Sequence, residues 1–461
     1  MERFTPAQQI AMAVLLTANF TLAVDFSVLN VALPHIGSEL GFATATLQWI
    51  VTSFALCAAG LTLFFGRVAD LFGRKRLFLA GIVLIGFASL AGGLATEPAL
   101  LIVARVGQGV ATAMVTPAAL ALMTTMFPEG LARSRALGLN GALMAAGFTA
   151  GAVLGGLLTG AMSWRWAFFI NVIVALAVIA VAPFVLRETD RGKRPALDVP
   201  GAITVTLALV ALVFGIDTAG RRSWTDAGSW GPILAAIVLF AVFLLIESRV
   251  ADPVVAPALL KRRTVGWGNI AGLLAFATFT SLVFLLTLYL QEVLGYTAIA
   301  AGLILGFLGI GTVIGGLIAP TVIGRTDAKT AIVAGLLVQA AVTAPLAFAG
   351  DSRAWLVPLL ILTFVGGIAN LVAIVGYVVA STAGVSAGRQ GLATGLVTMS
   401  QQVGIALGTP VMSAIATGVV AATLLPGLRL AIGVNSGIAV GAAIAIALFL
   451  RLPGDATPSE V

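Results

Sequence analysis

Apolar stretches of about 20 residues recur along the entire chain, and they constrain its fold more than any other feature. Hydrophobic residues make up 60% of the 461 residues and charged residues only 9%, whereas a soluble domain carries roughly 25% charged residues. About 20 apolar residues is the length that an α-helix needs to cross a bilayer. The sequence therefore predicts an all-α integral membrane protein.

We predict fourteen transmembrane helices, joined by connections too short to hold a soluble domain. The predicted spans are 8–32, 46–66, 77–95, 99–125, 136–161, 166–186, 199–217, 230–248, 265–290, 299–321, 330–349, 355–381, 391–421 and 431–450. With the N-terminus inside, 19 of the 25 Lys and Arg residues fall on the cytoplasmic side and five outside. This is the positive-inside bias of membrane proteins, and one span more or fewer would scramble it.

Charged connections and a weak internal repeat indicate that the helices are grouped. Residues 315–329 close the tenth span much as residues 66–76 close the second, with Thr321 standing where the first copy has Asp70. Two bundles related by such a repeat would place a substrate cavity between them. The predicted parts are an N-terminal six-helix bundle (1–190), two inserted helices that form spans 7 and 8 (191–258), and a C-terminal six-helix bundle (259–461).

Composition argues against most other classes of protein. One cysteine, Cys57, and one histidine, His35, leave no disulfide framework, no thiolate metal site and little from which to build a catalytic centre. The net charge of +7 follows the topology and forms no basic cluster interleaved with aromatic residues, so we expect no nucleic-acid partner. A G-x-x-x-x-G-K-[ST] nucleotide loop is missing from the sequence. We therefore expect neither an enzyme nor a resident metal or cofactor.

Asp25 is the one acid of eighteen that falls well inside a predicted span. An ionised carboxylate at that depth costs roughly 3 kcal/mol on insertion scales, so it must be paired, hydrated or in use. Arg105, in the fourth span at a compatible depth, is its natural companion. A carboxyl group that gains and loses such a partner is the switch that a proton-coupled carrier needs. The structural alternative is a polar residue that is simply packed inside the bundle.

The loop after the second span, GRVADLFGRKR at 66–76, combines one acid with four cations. Arginines hold a short hairpin on the cytoplasmic side, and an acid there can pair with a guanidinium or cap a helix. A glycine can supply a tight turn, expected at Gly73, or a close helix approach, expected at Gly66. An ordinary basic loop is the alternative. The candidate residues of this loop are Gly66, Asp70, Gly73, Arg74 and Arg76.

Two further sets of residues are candidates for packing and for substrate contact. Glycines at every fourth position of the fifth span predict that another helix approaches closely there; they are Gly147, Gly151 and Gly155, with Gly156 following. The substrate cavity is expected to be lined by apolar and aromatic side chains of the inner helices, although ordinary packing is the alternative for each of them. The candidates are Asn30, Trp49, Phe276, Phe279 and Phe284.

The loop at 66–76 and six further segments resemble the motifs of one protein family, the fourteen-span drug:proton antiporter branch of the major facilitator superfamily. The six segments are LAVDFSVLNVALPHI (22–36), LIVARVGQGVATA (101–113), GFTAGAVLGG (147–156), WRWAFFINV (164–172), YLQEVLGYTAIAAGL (289–303) and GLATGLVTMSQQVGIALG (391–408).

The resemblance implies roles for several of these residues. Asp25 would be a proton or cation site with Arg105 as its partner, and Asp70, Arg74 and Arg76 would form a cytoplasmic gate latch. The glycines of the fifth span would belong to the antiporter motif. Ala152 stands where that motif usually has proline, so the kink of the motif is in question.

From these observations we expect proton-coupled efflux of hydrophobic drugs or antibiotics, with a lean toward cations because a buried carboxylate complements positive charge. A dedicated exporter of one endogenous metabolite or self-made antibiotic is the alternative, and a non-transporting membrane receptor or assembly factor is a third hypothesis. The expected partners are the lipid bilayer, a small hydrophobic substrate and protons as the coupling ion, with the protein a monomer. The expected location is a bacterial cytoplasmic membrane, with both termini inside.

Overall fold

The computed structural model describes residues 5–43, 46–126, 131–188, 198–221, 227–250, 257–385, 390–419 and 423–452. Fourteen α-helices of 16 residues or more lie within these ranges. We number them α1 (Pro6–Leu40), α2 (Gln48–Phe72), α3 (Arg74–Gly93), α4 (Pro98–Met126), α5 (Leu131–Ala161), α6 (Trp166–Val185), α7 (Val199–Arg221), α8 (Ala227–Glu247), α9 (Arg263–Leu288), α10 (Ala298–Arg325), α11 (Ala328–Thr343), α12 (Leu356–Thr382), α13 (Gln390–Thr417) and α14 (Leu425–Phe449).

The helices have the length and composition of membrane spans. Within the described ranges, eleven of them are long and apolar enough to cross a bilayer, and shorter apolar stretches lie on α2 (Gln48–Thr62) and α5 (Ala150–Ala161). Each of the fourteen predicted spans coincides with one helix. The predicted class, an all-α membrane protein with fourteen long helices, is confirmed.

The largest boundary error is at the C-terminal end of α1, which we predicted at residue 32 and which the structure places at Leu40. The helix continues through Pro34 and ends where Gly41 adopts a left-handed φ of 77° and donates its N–H to the Gly37 carbonyl. A proline removes one amide donor, but a helix can pass through it when its neighbours are packed. Here Leu33 and Ile36 are both fully buried.

The chain divides into two compact units, residues 1–206 with 297–303, and residues 207–296 with 304–461. In the first unit α1 packs along α5 and α6, α2 along α4, and α3 along α4 and α6. Fully buried apolar side chains on α3, α4 and α6, including Phe78, Val115 and Ala182, fill its core. The three-part domain division drawn from the sequence stays a prediction.

The second unit uses the same pairing of helices within itself. Helix α9 packs along α12, α13 and α14, and α11 packs along α12 and α14. These pairs correspond to those of α1 and α3 in the first unit, so α9 is equivalent to α1, α11 to α3, α12 to α4 and α14 to α6. The weak sequence repeat therefore has a structural counterpart.

Candidate functional site

Asp25 on α1 and Arg105 on α4 are in direct contact in the interior of the first unit. Arg105 Nη1 donates to Asp25 Oδ2 over 2.9 Å, and both residues are 0% exposed. The ion pair joins two helices whose sequence positions are 80 residues apart. A pair this deeply buried is stable only when further hydrogen bonds satisfy both partners.

Three neutral polar side chains complete the site, and we refer to these five residues (Asp25, Ser89, Arg105, Gln108 and Asn171) as the charged network. Gln108 Nε2 donates to Asp25 Oδ1 over 3.0 Å and to Ser89 Oγ over 2.8 Å, while Gln108 Oε1 accepts from Arg105 Nη1 over 2.8 Å. Asn171 Nδ2 also donates to Asp25 Oδ1. The carboxylate therefore accepts hydrogen bonds from α4 and α6, and every member is 0–1% exposed.

The network extends beyond the two residues singled out in the sequence. Gln108 lies one helical turn after Arg105, inside the R-x-x-Q-G segment, so its spacing placed it on the same face. Asn171 lies in the segment WRWAFFINV, whose likeness to a family motif gave no hint of a contact with Asp25. That contact depends on how α6 packs against α1, which spacing along the chain does not reveal.

Backbone and aromatic contacts from α2 fix the guanidinium of Arg105. Its Nε donates to the Ile50 carbonyl over 2.8 Å, and its Cζ lies 4.4 Å from the centre of the Phe54 ring. A methyl group at Gly109 would collide with the Phe54 carbonyl oxygen, so this glycine allows α4 to approach α2 closely. Arg105 thus faces Asp25 from a rigid position.

The start of α6 is anchored by a second, half-exposed cluster. Trp164 Nε1 donates to Glu39 Oε2 over 2.6 Å, and Arg165 Nη2 donates to Glu39 Oε1 over 2.7 Å. Arg165 Nη1 also donates to the Ala95 carbonyl over 2.9 Å. These bonds tie the beginning of α6 to the ends of α1 and α3, and they fix the level at which Asn171 enters the bundle.

The structure describes only part of the predicted loop site. Gly73 adopts a φ of 107° and ends α2, as a tight turn requires, and a Cβ there would lie 2.7 Å from the Glu188 carboxylate. That carboxylate accepts the backbone N–H groups of Lys75 and Arg76 and so caps α3. Arg74 is the first residue of α3, the side chain of Arg76 is exposed, and that of Asp70 lies outside the described part of the structure.

Gly66 does not have the predicted role in close helix packing. A Cβ built on Gly66 would lie 3.8 Å from Pro117 Cβ, an ordinary van der Waals distance. The helices at this level are therefore far enough apart for a methyl group. The sequence prediction failed because one glycine in a helix does not reveal how far away the neighbouring helix lies.

The glycines of α5 are placed where α1 crosses it. A Cβ at Gly147 would lie 2.9 Å from the Phe20 carbonyl oxygen and one at Gly151 2.7 Å from that of Val24, while Gly155 is still closer to Val28. Gly156 faces Ala298 and Gly302, which belong to the same compact unit. Helix α5 runs without interruption through Ala152, so the residue that replaces the motif proline lies in regular helix.

The five cavity candidates differ in exposure. Trp49 and Phe276 are half-buried, Phe279 is 7% exposed, and the amide of Asn30 donates to the Phe26 carbonyl of its own helix. Phe284 does not fit the prediction, because it is 0% exposed. It lies in the part of α9 that is buried on every face, so its ring offers no surface to a substrate.

The second unit contains a corresponding set of buried polar residues without a charge, which we refer to as the neutral network. Gln339 donates to Thr278 Oγ1 over 3.1 Å, Asn370 donates to Gln339 Oε1 over 2.9 Å, and Asn435 donates to Ser281 Oγ over 2.9 Å. The members belong to α9, α11, α12 and α14, the equivalents of the helices α1, α3, α4 and α6 that carry the charged network.

Comparison with known proteins places the chain in a family. The sequence model of the Major Facilitator Superfamily matches residues 15–409. The chain belongs to the Major Facilitator Superfamily. Its fourteen long helices, counted over the described ranges, match the branch of this transporter family with fourteen spans.

Individual relatives cover most of the chain. It is 37% identical over 428 residues to the cephamycin export protein of Amycolatopsis lactamdurans, and the alignment covers 89% of this chain and 85% of the relative. It is 35% identical over 414 residues to the puromycin resistance protein of Streptomyces alboniger, covering 89% and 82%. The crystal structure of a peptide transporter has the same fold, with a TM-score of 0.71 at 14% identity over 96% of this chain and 98% of the other.

Proposed function

We propose that this superfamily member exports hydrophobic drugs or antibiotics, favouring cations, in exchange for protons. The observation that carries the proposal is the buried ion pair of Asp25 and Arg105, 2.9 Å apart and 0% exposed. Ionisable groups are costly at this depth of a membrane span, and in membrane proteins they mark the pathways of ions and substrates. The export and resistance activities named for the two relatives support the direction of transport.

The exchange follows from the two charge states of Asp25. The ionised carboxylate attracts Arg105 and closes the charged network, whereas the protonated form releases the guanidinium from its charge partner. Proton binding therefore favours a different packing of α1 against α4 than proton release does. A substrate cation that enters while Asp25 is ionised competes for the same negative charge.

The available energy is sufficient for export without a nucleotide. A membrane potential of ~100 mV contributes about 2.3 kcal/mol per charge, and ~1 pH unit adds about 1.4 kcal/mol. One proton can thus sustain roughly a 500-fold gradient of a neutral substrate, and roughly a tenfold gradient of a univalent cation, because the outward charge of the cation cancels that of the entering proton. We further propose that the protein works as a monomer in a bacterial cytoplasmic membrane, with both termini in the cytoplasm.

The direct test is efflux of ethidium from loaded cells, measured with and without a protonophore. Wild type should export the dye until the protonophore is added, and Asp25→Asn should abolish export while the protein remains in the membrane. The matched control is Asp327→Asn, which neutralises a carboxylate at the end of a helix outside the charged network and should leave export intact. Export by the Asp25→Asn protein at the wild-type rate would overturn the proposal.

A dedicated exporter of one compound is the second candidate function, and the relative named as a cephamycin export protein favours it. The two candidates differ in breadth, so a panel of unrelated hydrophobic cations and neutral antibiotics separates them. Resistance to several members supports the broad exporter. Resistance to one member, with the gene beside a biosynthetic cluster, supports the dedicated one.

A further inference from the structure

Asn171 is the neutral residue of α6 that contacts Asp25, and nothing in the coupling scheme above assigns it a role. Its Nδ2 donates to Asp25 Oδ1, and its side chain is buried with 1% of the residue exposed. Within the described residues its Oδ1 has no hydrogen-bond partner. A buried amide oxygen without a partner is costly, so an acceptor held beside a group that can gain a proton needs an explanation.

The charged surroundings of this contact are simple. Arg105 on α4 is the one described ionisable side chain in contact with Asp25. Helix α3 contributes the Ser89 hydroxyl through Gln108, α5 presents glycines to α1, and α2 contributes the Ile50 carbonyl and the Phe54 ring to Arg105. Among the residues that contact Asp25, Asn171 differs in that its side chain makes no other described hydrogen bond. Its amide can therefore turn to donate to the carboxyl group or to accept from it.

We propose that Asn171 is a positioning residue whose amide responds to the charge of Asp25. This inference rests on the proposed function, in which Asp25 binds the coupling proton. When Asp25 is ionised, Asn171 Nδ2 donates to it, as the structure shows. When Asp25 gains a proton from water, the new O–H group donates to Asn171 Oδ1 after the amide turns about its Cβ–Cγ bond. No proton moves to Asn171, which holds Asp25 in place in both states.

The local packing keeps the amide within reach. Phe168 on α6 lies against Gly92, and Phe169 lies against Gly93, where no side chain could fit. The bonds of Trp164 and Arg165 to Glu39 hold the segment that leads into α6. These contacts hold α6 at the level where Asn171 meets Asp25, so rotation of the amide is the smallest movement that lets it respond to the change in charge.

The test measures protonation of Asp25 directly, so that it does not depend on the transport assay. The carboxyl band of Asp25 is identified in the infrared spectrum of the purified protein by subtraction of the Asp25→Asn spectrum, and it is titrated from pH 4 to pH 10. Asn171→Leu removes the bond to the ionised carboxylate and the weaker bond to the protonated form. Because the bond to the charged group is the stronger of the two, proton uptake should move to a pH about one unit higher. Asn171→Ser, which has a shorter hydroxyl, should give a smaller shift in the same direction.

The matched control is Asn435→Leu. Asn435 lies on α14, the equivalent of α6, is 0% exposed and donates to Thr278 and Ser281 without touching a charged group. The Asn435→Leu substitution should leave the pH midpoint of the Asp25 carboxyl band unchanged, even if it lowers the stability of the protein. If the Leu variant of residue 171 does not assemble, the Ser variant carries the comparison.

The outcomes separate the inference from the proposed function. A band that titrates only in the Asn171 variants, or at a higher pH in them, supports the role of Asn171. Equal midpoints in wild type and both variants, or no titration in any of them, overturn it. Failure of wild type to export any compound would instead overturn the proposed function.

Discussion

At the scale of residues, Arg105 is held by four different kinds of contact. It donates to the Asp25 carboxylate, the Gln108 amide and the Ile50 carbonyl, and its guanidinium lies over the Phe54 ring. A lysine ammonium is a point charge and lacks the planar fork that reaches several acceptors at once. The buried ion pair is thus one of several contacts that fix the guanidinium beside Asp25.

Neutralising the ion pair one residue at a time should be far more harmful than neutralising both. Arg105→Gln leaves a buried carboxylate without a cation and should lower the free energy of unfolding by about 3–5 kcal/mol. Adding Asp25→Asn removes that charge while keeping amide hydrogen bonds to Gln108 and Asn171, so the double variant should regain most of the loss. Melting in detergent measures the effect.

These two variants, with Asp25→Asn alone as the third, test whether charge or packing is responsible for the loss of stability. Transport should be absent in both, since Arg105→Gln removes the charge partner that Asp25 gains and loses, and the double variant also removes the carboxyl group that binds the proton. If the double variant were as unstable as the sum of the single ones, the two side chains would be energetically independent. Such additivity would be incompatible with the coupling described here.

At the scale of elements, the sequence predicted that the helices exist and that another helix lies close to the glycines of α5. It predicted few of the contacts that cross the bundle. Fourteen apolar stretches are a local property, and Gly147, Gly151 and Gly155 repeat with the helical period. The cap of α3 was missed because Glu188 reaches Lys75 from 113 positions away. Asn171 was missed for the same reason, and Phe284 was misassigned because composition does not show that this part of α9 is buried on every face.

The crossing of α1 and α5 should be sensitive to a single methyl group. Gly151→Ala would place Cβ 2.7 Å from the Val24 carbonyl oxygen, next to Asp25, so the helices must separate. Overpacking of this kind costs about 1–3 kcal/mol. The control, Gly437→Ala on α14, has nothing within 4 Å of its Cβ and should be neutral or slightly stabilising. Equal melting temperatures for the two variants would contradict the close approach.

The start of α11 should show a pH-dependent cap. Asp327 accepts from Thr330 N over 2.8 Å and from Thr330 Oγ1 over 2.6 Å. Partial burial raises the pKa of Asp327, but the hydrogen bonds from Thr330 and Lys329 and the charge of Lys329 lower it more, and the net pKa lies below its usual range. The folded state therefore gains stability above the ordinary pKa and loses it as the pH falls through the lowered one.

Two variants separate the cap from its charge. Asp327→Ala should cost about 1 kcal/mol at neutral pH because the amide donor at Thr330 loses its acceptor. Asp327→Asn keeps an acceptor, so it should be close to wild type at acidic pH and differ from it mainly near neutrality. Melting curves in detergent from pH 3 to pH 7 measure both. If the melting temperatures of wild type and Asp327→Asn differed by a constant amount across this pH range, the charged cap would be ruled out.

At the scale of the whole molecule, the two units share a pattern of helix packing but differ in the chemistry of their polar centres. Equivalent helices carry an ion pair in the first unit and only amides and hydroxyls in the second. The proposed ion coupling is therefore assigned to the charged network of the first unit. Exposed apolar side chains such as Leu234, Val238 and Leu245 on α8 suit a surface that faces lipid.

The topology can be checked by labelling single cysteines. Cys57 is the one cysteine of the chain, so Cys57→Ser provides a cysteine-free background. Thr326→Cys, between α10 and α11, and Ser352→Cys, before α12, are both at exposed positions. A membrane-impermeant maleimide added to intact cells should label only the Ser352 variant, and lysis should expose the other. The reverse pattern would place the termini outside.

The burial of the charged network has a consequence for how resistance evolves. Its five side chains are 0–1% exposed, so a compound carried by the protein does not touch them in this state. In this state the first contacts with a new compound are therefore made by residues that have accessible surface. Substitutions at such exposed positions can change which compound is carried while the five side chains of the charged network keep the same contacts.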